Sequence, residues 1–275
     1  MKVQLSLHAK KLKNLEKGFR RGKSDPYAVI TLDSGEELGR TETIDNNLNP
    51  DWANIIYFEL QEDTCVPITV QIFDANGDKK DDGDMGVATF ELWDVFRDDI
   101  HMKEEDLGDG ATVYLRVEES QKSDTAGNFL LQLRALNLVN IESGLFGTGR
   151  SDPFFEISKK ISYPDKGFVY WQRIYRSERV SDSLNPLWEE QVFLSLEALC
   201  FGDLDWPLRI SIYDDNKRRK SDFMSETYTT AKDLLESVAV KGNADQEKAL
   251  TLRVDDNETS ASKGLIVVLK AELHE

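Results

Sequence analysis

Carboxylates are the side chains of this sequence with the most chemistry to offer, and they are unevenly spread. The eleven residues from Asp74 to Asp84 hold five aspartates. Held close together without a cation, such groups repel one another. Carboxylate oxygens on loops that can converge are what Ca²⁺ takes, six to eight oxygens at a time. A second acidic stretch, Asp214-Asp215-Asn216, runs straight into Lys217-Arg218-Arg219-Lys220, whose cations could neutralise it from within. A third feature is basic: Lys10, Lys11, Lys13, Lys17, Arg20, Arg21 and Lys23 put seven cations into fourteen residues, opposed only by Glu16. Near an anionic lipid surface each such cation contributes about 1 kcal/mol of attraction, although a charged run is more commonly a solvated face. Catalysis has no comparable signal. His8, His101 and His274 stand in unrelated places, and no nucleophile elbow, phosphate loop or His-Glu-x-x-His phrase occurs. The chain is therefore expected not to be an enzyme.

The formal net charge of -17 argues against a nucleic-acid partner, which would demand a basic face. An acidic protein is repelled by anionic lipid unless a cation intervenes or basic residues cluster locally. The longest apolar runs, such as Leu265 to Leu269, are too short to span a bilayer. The start, Met1-Lys2-Val3-Gln4-Leu5, lacks a signal-peptide core, so a cytoplasmic location is expected. Cys65 and Cys200 are too sparse for a disulfide framework and read as small core hydrophobes.

The elements that must carry these residues are short and repeated. Three phrases occur twice in the same order. Gly22-Lys23-Ser24-Asp25-Pro26-Tyr27 is echoed by Gly149-Arg150-Ser151-Asp152-Pro153-Phe154. Asn47-Leu48-Asn49-Pro50-Asp51-Trp52 is echoed by Ser183-Leu184-Asn185-Pro186-Leu187-Trp188, and Val70 to Asn76 by Ile210 to Asn216. A repeat of about 130 residues is domain-sized. Between the phrases lie β-rich or alternating runs, among them 3–7, 27–32, 55–60, 68–73 and 112–117, then 129–133, 154–157, 169–175, 190–196, 208–213, 249–254 and 265–269. Helical period is brief, near Leu92–Phe96 and Ala231–Val238. This predicts an all-β chain of two antiparallel sandwiches in tandem, eight-stranded, the first with seven strands or eight and an edge left open to pairing. The expected domains are 1–119 and 129–275, joined by a polar linker over 120–128. Asn49-Pro50 and Asn185-Pro186 read as turn structure, and Trp52 and Trp188 as core aromatics.

Ser-Asp-Pro-Tyr/Phe, then Leu-Asn-Pro-x-Trp, then a strand ending Phe/Tyr-Asp-x-Asn resembles the C2 domain pattern, twice over nearly the whole chain. The second half looks most like the second C2 domain of copines, through Trp171-Gln172-Arg173-Ile174-Tyr175-Arg176-Ser177-Glu178 and Cys200-Phe201-Gly202-Asp203-Leu204-Asp205-Trp206-Pro207. Copines continue into a von Willebrand A-like domain that these 275 residues do not contain, so the chain reads as a piece of such a protein or a shorter relative.

The resemblance implies a Ca²⁺ site at one end of each sandwich. In the first domain it places Asp25 on one loop and Asp74, Asn76, Asp82 and Asp84 on another. In the second domain the matching residues are Asp152, Asp214, Asn216 and Asp222. Both sets depart from the family pattern. Phe19 and Phe146 stand where a further aspartate is usual, with Leu145 there if one inserted residue is allowed, and Asn76 and Asn216 replace a middle aspartate. Glu16 and Glu142 lie nearby at the wrong spacing. Each site thus loses two negative charges, which predicts fewer ions bound more weakly than in Ca²⁺ sensors. The same positions nominate membrane contacts: Lys17, Phe19, Arg20 and Arg21 in the first domain, and Leu145, Phe146, Lys217, Arg218, Arg219 and Lys220 in the second. Leu12, Leu15 and Phe19 also fall at helical spacing, so a short basic amphipathic helix is an alternative there, opposed by Gly18 and Gly22. The expected function is Ca²⁺-dependent binding of anionic phospholipid by a monomer that joins the membrane when calcium rises. The alternatives are a Ca²⁺-independent protein-interaction module that holds a partner by strand addition, and lipid binding by the basic patch alone.

Overall fold

The computed structural model describes residues 1–16, 22–62, 64–75, 82–120, 127–141, 149–163, 168–215, 221–255 and 260–275. The described residues divide into two compact units, 1–120 and 127–275. Leu12 to Glu16 form no helix, and Leu12 is buried in the first core.

The first unit is built from β1 (Lys2–Lys10), β2 (Pro26–Leu32), β3 (Glu37–Arg40), β4 (Ile56–Glu59), β5 (Pro67–Asp74), β6 (Gly83–Glu91), α1 (Leu92–Phe96), β7 (Met102–Gly108) and β8 (Ala111–Glu119). Two antiparallel sheets, ordered β4-β1-β8-β7 and β3-β2-β5-β6, enclose the core. Period-2 alternation places the apolar set: Val3, Leu5, Leu7 and Ala9 from β1 face inward with Ile68, Val70 and Ile72 from β5 and Val113, Leu115 and Val117 from β8. Each large apolar side chain among them contributes about 1.5–3 kcal/mol on burial. The first unit therefore has eight strands among its described residues, not seven. Three of its four edges are short or charged: β3 and β4 have four residues each, and β7 carries Lys103, Glu104, Glu105 and Asp106, whereas the fourth, β6, is nine residues long. Both features discourage pairing with another chain. Gly86 in β6 has φ +134°, and a Cβ there would lie 2.9 Å from the Leu107 carbonyl, so the bulged crossing of β6 over β7 requires glycine.

The second unit repeats this plan with β9 (Asn128–Leu136), β10 (Pro153–Tyr163), β11 (Phe168–Arg176), β12 (Val192–Ser195), α2 (Leu196–Cys200), β13 (Leu208–Asp214), β14 (Asp222–Thr229), α3 (Ala231–Glu236), β15 (Leu250–Leu252) and β16 (Gly264–His274). Its sheets are ordered β12-β9-β16-β15 and β11-β10-β13-β14. Trp52 and Trp188 are buried in their respective cores, and each indole N–H donates to the proline carbonyl that opens β2 or β10, at 3.2 Å to Pro26 and 3.4 Å to Pro153. Asn49 and Asn185 are structural, as turn chemistry predicts: their Oδ1 atoms accept from Lys11 N–H and Asn137 N–H, both at 2.9 Å. Cys200 is buried, whereas Cys65 is exposed and is not a core residue; both are free thiols.

His8 on β1 gives the first unit a pH dependence. Its ring stacks on Tyr114 at 4.3 Å, and Lys10 Nζ lies 4.8 Å from the Tyr114 ring centroid. Burial first, then the charges of Lys10 and Arg116, push its pKa down from 6.5 to about 4. The unfolded chain takes up this proton near pH 6.5 and the folded chain does not, so stability falls as pH drops from 6.5 to 4. A full shift of that size corresponds to about 3 kcal/mol, and partial exposure of the ring brings the expected loss to about 2 kcal/mol. Urea denaturation at several pH values should show wild type losing that much more than His8→Gln between pH 7 and pH 4. Parallel stability curves would remove His8 as the cause.

Candidate metal-binding loop end

The site grows from two chain positions that the fold must bring together. Asp25 immediately precedes β2, and Asp74 ends β5, paired in register with Pro26. The main chain ties them: Asp25 N–H donates to Asp74 Oδ1 at 2.7 Å, and Ala75 N–H to the Asp25 carbonyl at 2.9 Å. Asn46 N–H donates to Asp25 Oδ1 at 2.6 Å. Behind them Ser24 is fully buried, its Oγ accepting from Leu15 N–H at 2.8 Å and its N–H donating to Asn14 Oδ1 at 3.0 Å. The Ser-Asp-Pro phrase is thus a locking device as well as a donor of carboxylate: the serine fixes the loop, the aspartate faces its partner and the proline starts the strand. Gly22 opens the phrase because any Cβ there would collide with Asn46 Oδ1, which accepts from Lys23 N–H.

Electrostatically the pair is poised for a cation. Burial, with the neighbouring carboxylates of Asp45, Asp74 and Glu16, raises the Asp25 pKa against the lowering effect of its Asn46 hydrogen bond. Among the described residues no basic side chain pairs with Asp25 or Asp74. Each spends Oδ1 on a main-chain N–H, which leaves Oδ2 as a hard-oxygen donor. The donor chemistry therefore fits part of a Ca²⁺ shell. Among the described residues no cluster of three or more acidic, histidine or cysteine side chains is drawn together as a metal cage.

The other predicted positions fall differently. Asp82 Oδ2 accepts from the Tyr27 hydroxyl at 2.7 Å, and burial together with this carboxylate pushes the Tyr27 pKa up to about 12. Asp84 pairs in register with Phe73, and its Oδ1 accepts from Gly86 N–H. By strand alternation it takes the face of Phe73, opposite to Asp74. Asn76, Asn216, Lys17, Phe19, Arg20, Arg21, Glu142, Leu145, Phe146, Lys217, Arg218, Arg219 and Lys220 lie outside the described residues.

The second unit reproduces the frame. Asp152 N–H donates to Asp214 Oδ1 at 2.6 Å, Asp215 N–H to the Asp152 carbonyl at 3.1 Å, and Asp182 N–H to Asp152 Oδ1 at 2.8 Å. Asp222 stands directly across from Asp214. Burial raises the Asp214 pKa, with Asp152 and Asp222 adding to it against hydrogen bonds from Asp152 and Ser151. The second unit also places a cation where the first has a neutral residue: Arg179, whose Nη1 lies 3.0 Å from Asp215 Oδ2 and 3.9 Å from Asp152 Oδ2. Asp45 and Arg179 are the charges that sequence reasoning missed. Both precede the Asn-Pro turn by a few residues, and aligning the halves on that turn would have exposed them.

The C2 domain family model matches residues 3–107 and 129–252. Copine-A of Dictyostelium discoideum is 29% identical over 230 residues, covering 78% of this chain and 35% of that protein, so the chain spans about a third of that relative's length. Among solved structures, the calcium-bound pair of C2 domains of Extended-Synaptotagmin 2 aligns with a TM-score of 0.37 at 16% identity, over 100% of this chain and 98% of that one. BON1-C2B aligns with a TM-score of 0.43 at 20% identity, over 55% of this chain and 93% of that one. With the family model matched once in each unit, over most of the chain, the protein belongs to the C2 domain family.

Proposed function

We propose that the chain is a non-enzymatic recruitment module that binds anionic phospholipid membranes in response to Ca²⁺, chiefly through the loop end of its first unit. Its modules are residues 1–119 and 129–275, joined by 120–128. The observation that carries this reading is the locked pair of Asp74, buried, and Asp25, half-buried, left without a basic partner among the described residues. A bound Ca²⁺ would reverse the local potential and offer coordination positions to a lipid phosphate. The residues of this chain do the rest. Asp25 and Asp74 are held together by one main-chain hydrogen bond, with Asp82, Asp84 and Asn76 on the adjoining loop as further proposed donors. Lys10, Lys11 and Lys13 are exposed at the end of β1 and add a basic surface, to which Lys17, Arg20 and Arg21 belong in sequence. Phe19 and Phe146 are the proposed apolar tips. The protein would then be cytoplasmic and become peripheral to the membrane when calcium rises. The second unit contributes Asp152, Asp214, Asn216 and Asp222 to a weaker site, or none.

Co-sedimentation of the full chain with phosphatidylserine vesicles tests this. Pelleting with Ca²⁺ and release by chelator is expected, with Phe19→Ala weakening it severalfold. No pelleting in either condition would favour a protein-interaction module. Pelleting in both conditions, fading as salt is raised, would assign binding to the basic run instead.

A further inference from the structure

The two loop ends share one scaffold, and what differs between them is charge. The hydroxyl of Thr41 accepts from Ala28 N–H at 2.9 Å, and that of Ser177 accepts from Phe155 N–H at 2.9 Å. Glu42 accepts from Asn54 N–H at 3.0 Å, and Glu178 from Glu190 N–H at 3.1 Å. Both pairs stand at the same distance from the Asn-Pro turn of their unit. Next in each chain come Thr43 and Arg179, six residues before Asn49 and Asn185 respectively. Across the loop end, Ala75 follows Asp74 and Asp215 follows Asp214. The first unit thus has a neutral Thr43 and Ala75 where the second has an ion pair closed at 3.0 Å, with the same guanidinium 3.9 Å from Asp152. At the rim, Asp45 of the first unit corresponds to Ser181 of the second. Next to it, Asn46 of the first unit corresponds to Asp182 of the second. Three substitutions thus add charge in the second unit, one basic and two acidic, and a fourth adds an acid in the first.

From this correlated exchange we infer that Arg179 is a permanent counter-cation of the second unit. It does for Asp152 and Asp215 what a metal ion would otherwise do, so that these two carboxylates keep a counter-charge at any Ca²⁺ level, while Asp25 and Asp74 have none among the described residues. Arg179 is then the residue that makes a duplicated site unequal: one unit reports the ion, and the other presents a fixed surface. Ligand charge sets Ca²⁺ affinity, and a guanidinium 3.9 Å from a candidate carboxylate subtracts from it. The inference deepens the reading proposed above and rests on it for the role of the first unit alone. The other unit carries Thr43 at the matching position, so Arg179→Thr is expected to leave the fold intact.

The test is Ca²⁺ titration by calorimetry on the full chain, as wild type, Asp25→Asn, Arg179→Thr and Asp25→Asn/Arg179→Thr. Asp25→Asn should abolish the wild-type event. Adding Arg179→Thr should bring back a single event, at least tenfold tighter than any residual binding, and Asp152→Asn in that background should remove it. A Ca²⁺ event in the Asp25→Asn chain that Asp152→Asn removes would overturn the inference. So would a double variant that binds no more tightly than Asp25→Asn alone. Wild type without any event, combined with a gained event in Arg179→Thr, would support Arg179 and sink the calcium reading of the first unit.

Discussion

Asp74→Asn should remove Ca²⁺-dependent membrane binding while leaving the first unit folded. Asp74 is fully buried at the end of β5, and its Oδ1 is the acceptor that holds Asp25 N–H at 2.7 Å. An amide keeps that acceptor and the side-chain volume, so the hydrogen bond survives. The negative charge does not survive, and with it goes one of the two locked hard-oxygen donors. The expected result is at least a tenfold rise in the Ca²⁺ concentration needed for half-maximal vesicle pelleting, because carboxylate charge is a main control on affinity in such sites. Removing this charge should also relieve Asp25, whose pKa its neighbours raise, and so the variant should be no less stable to urea than wild type. Unchanged calcium dependence in a well-folded Asp74→Asn chain would remove the site from the first unit.

The second large effect is on stability. Trp188→Ala should destabilise the second unit by about 3–5 kcal/mol, the range for deleting a large buried aromatic. Trp188 is fully buried, meets Phe155 edge-on at 4.8 Å and donates from its indole to Pro153. Pro153 follows Asp152 directly, so the same residue that fills the core also fixes the start of the strand behind the loop end. Hydrogen exchange read strand by strand is the suitable measurement, since a two-unit chain need not unfold in one step. Protection should collapse in β9 to β16 and persist in β1 to β8. Loss of protection throughout both units would show that they do not unfold separately.

How much of this could be read from residues alone depends on what each residue announces. The repeated phrases announced themselves, because glycine, serine, aspartate, asparagine and proline sit where turns need particular backbone angles or side-chain acceptors. They carried the tandem plan and the Asp25 and Asp74 pair. β3, β6 and β7 did not announce themselves. β3 is Glu37-Leu38-Gly39-Arg40, β6 starts inside the acidic stretch and contains Gly86, and β7 is rich in charge from Lys103 to Asp106. Edge strands carry charge to resist pairing, and that charge hides the alternation by which strands are found. Cys65 was misplaced because a cysteine is small enough to sit in either environment. Asp82 and Asp84 could be assigned to a loop by composition, but their directions depend on register: Gly83 falls opposite Asp74, and so Asp84 pairs with Phe73. Arg179 was hidden for another reason. It is adjacent to Asp152 only in space, being twenty-seven residues away in sequence.

The hydrogen bonds that lock Ser24 and Asn14, and their counterparts Ser151 and Asn140, involve none of the positions at which the two units differ in charge. Scaffold and specificity are thereby separable. Substitution at Thr43, Ala75, Arg179 or Asp215 would therefore be expected to retune one copy's response without unlocking its loop frame. A repeated frame of this kind can hold two differently charged loop ends at little risk to either core.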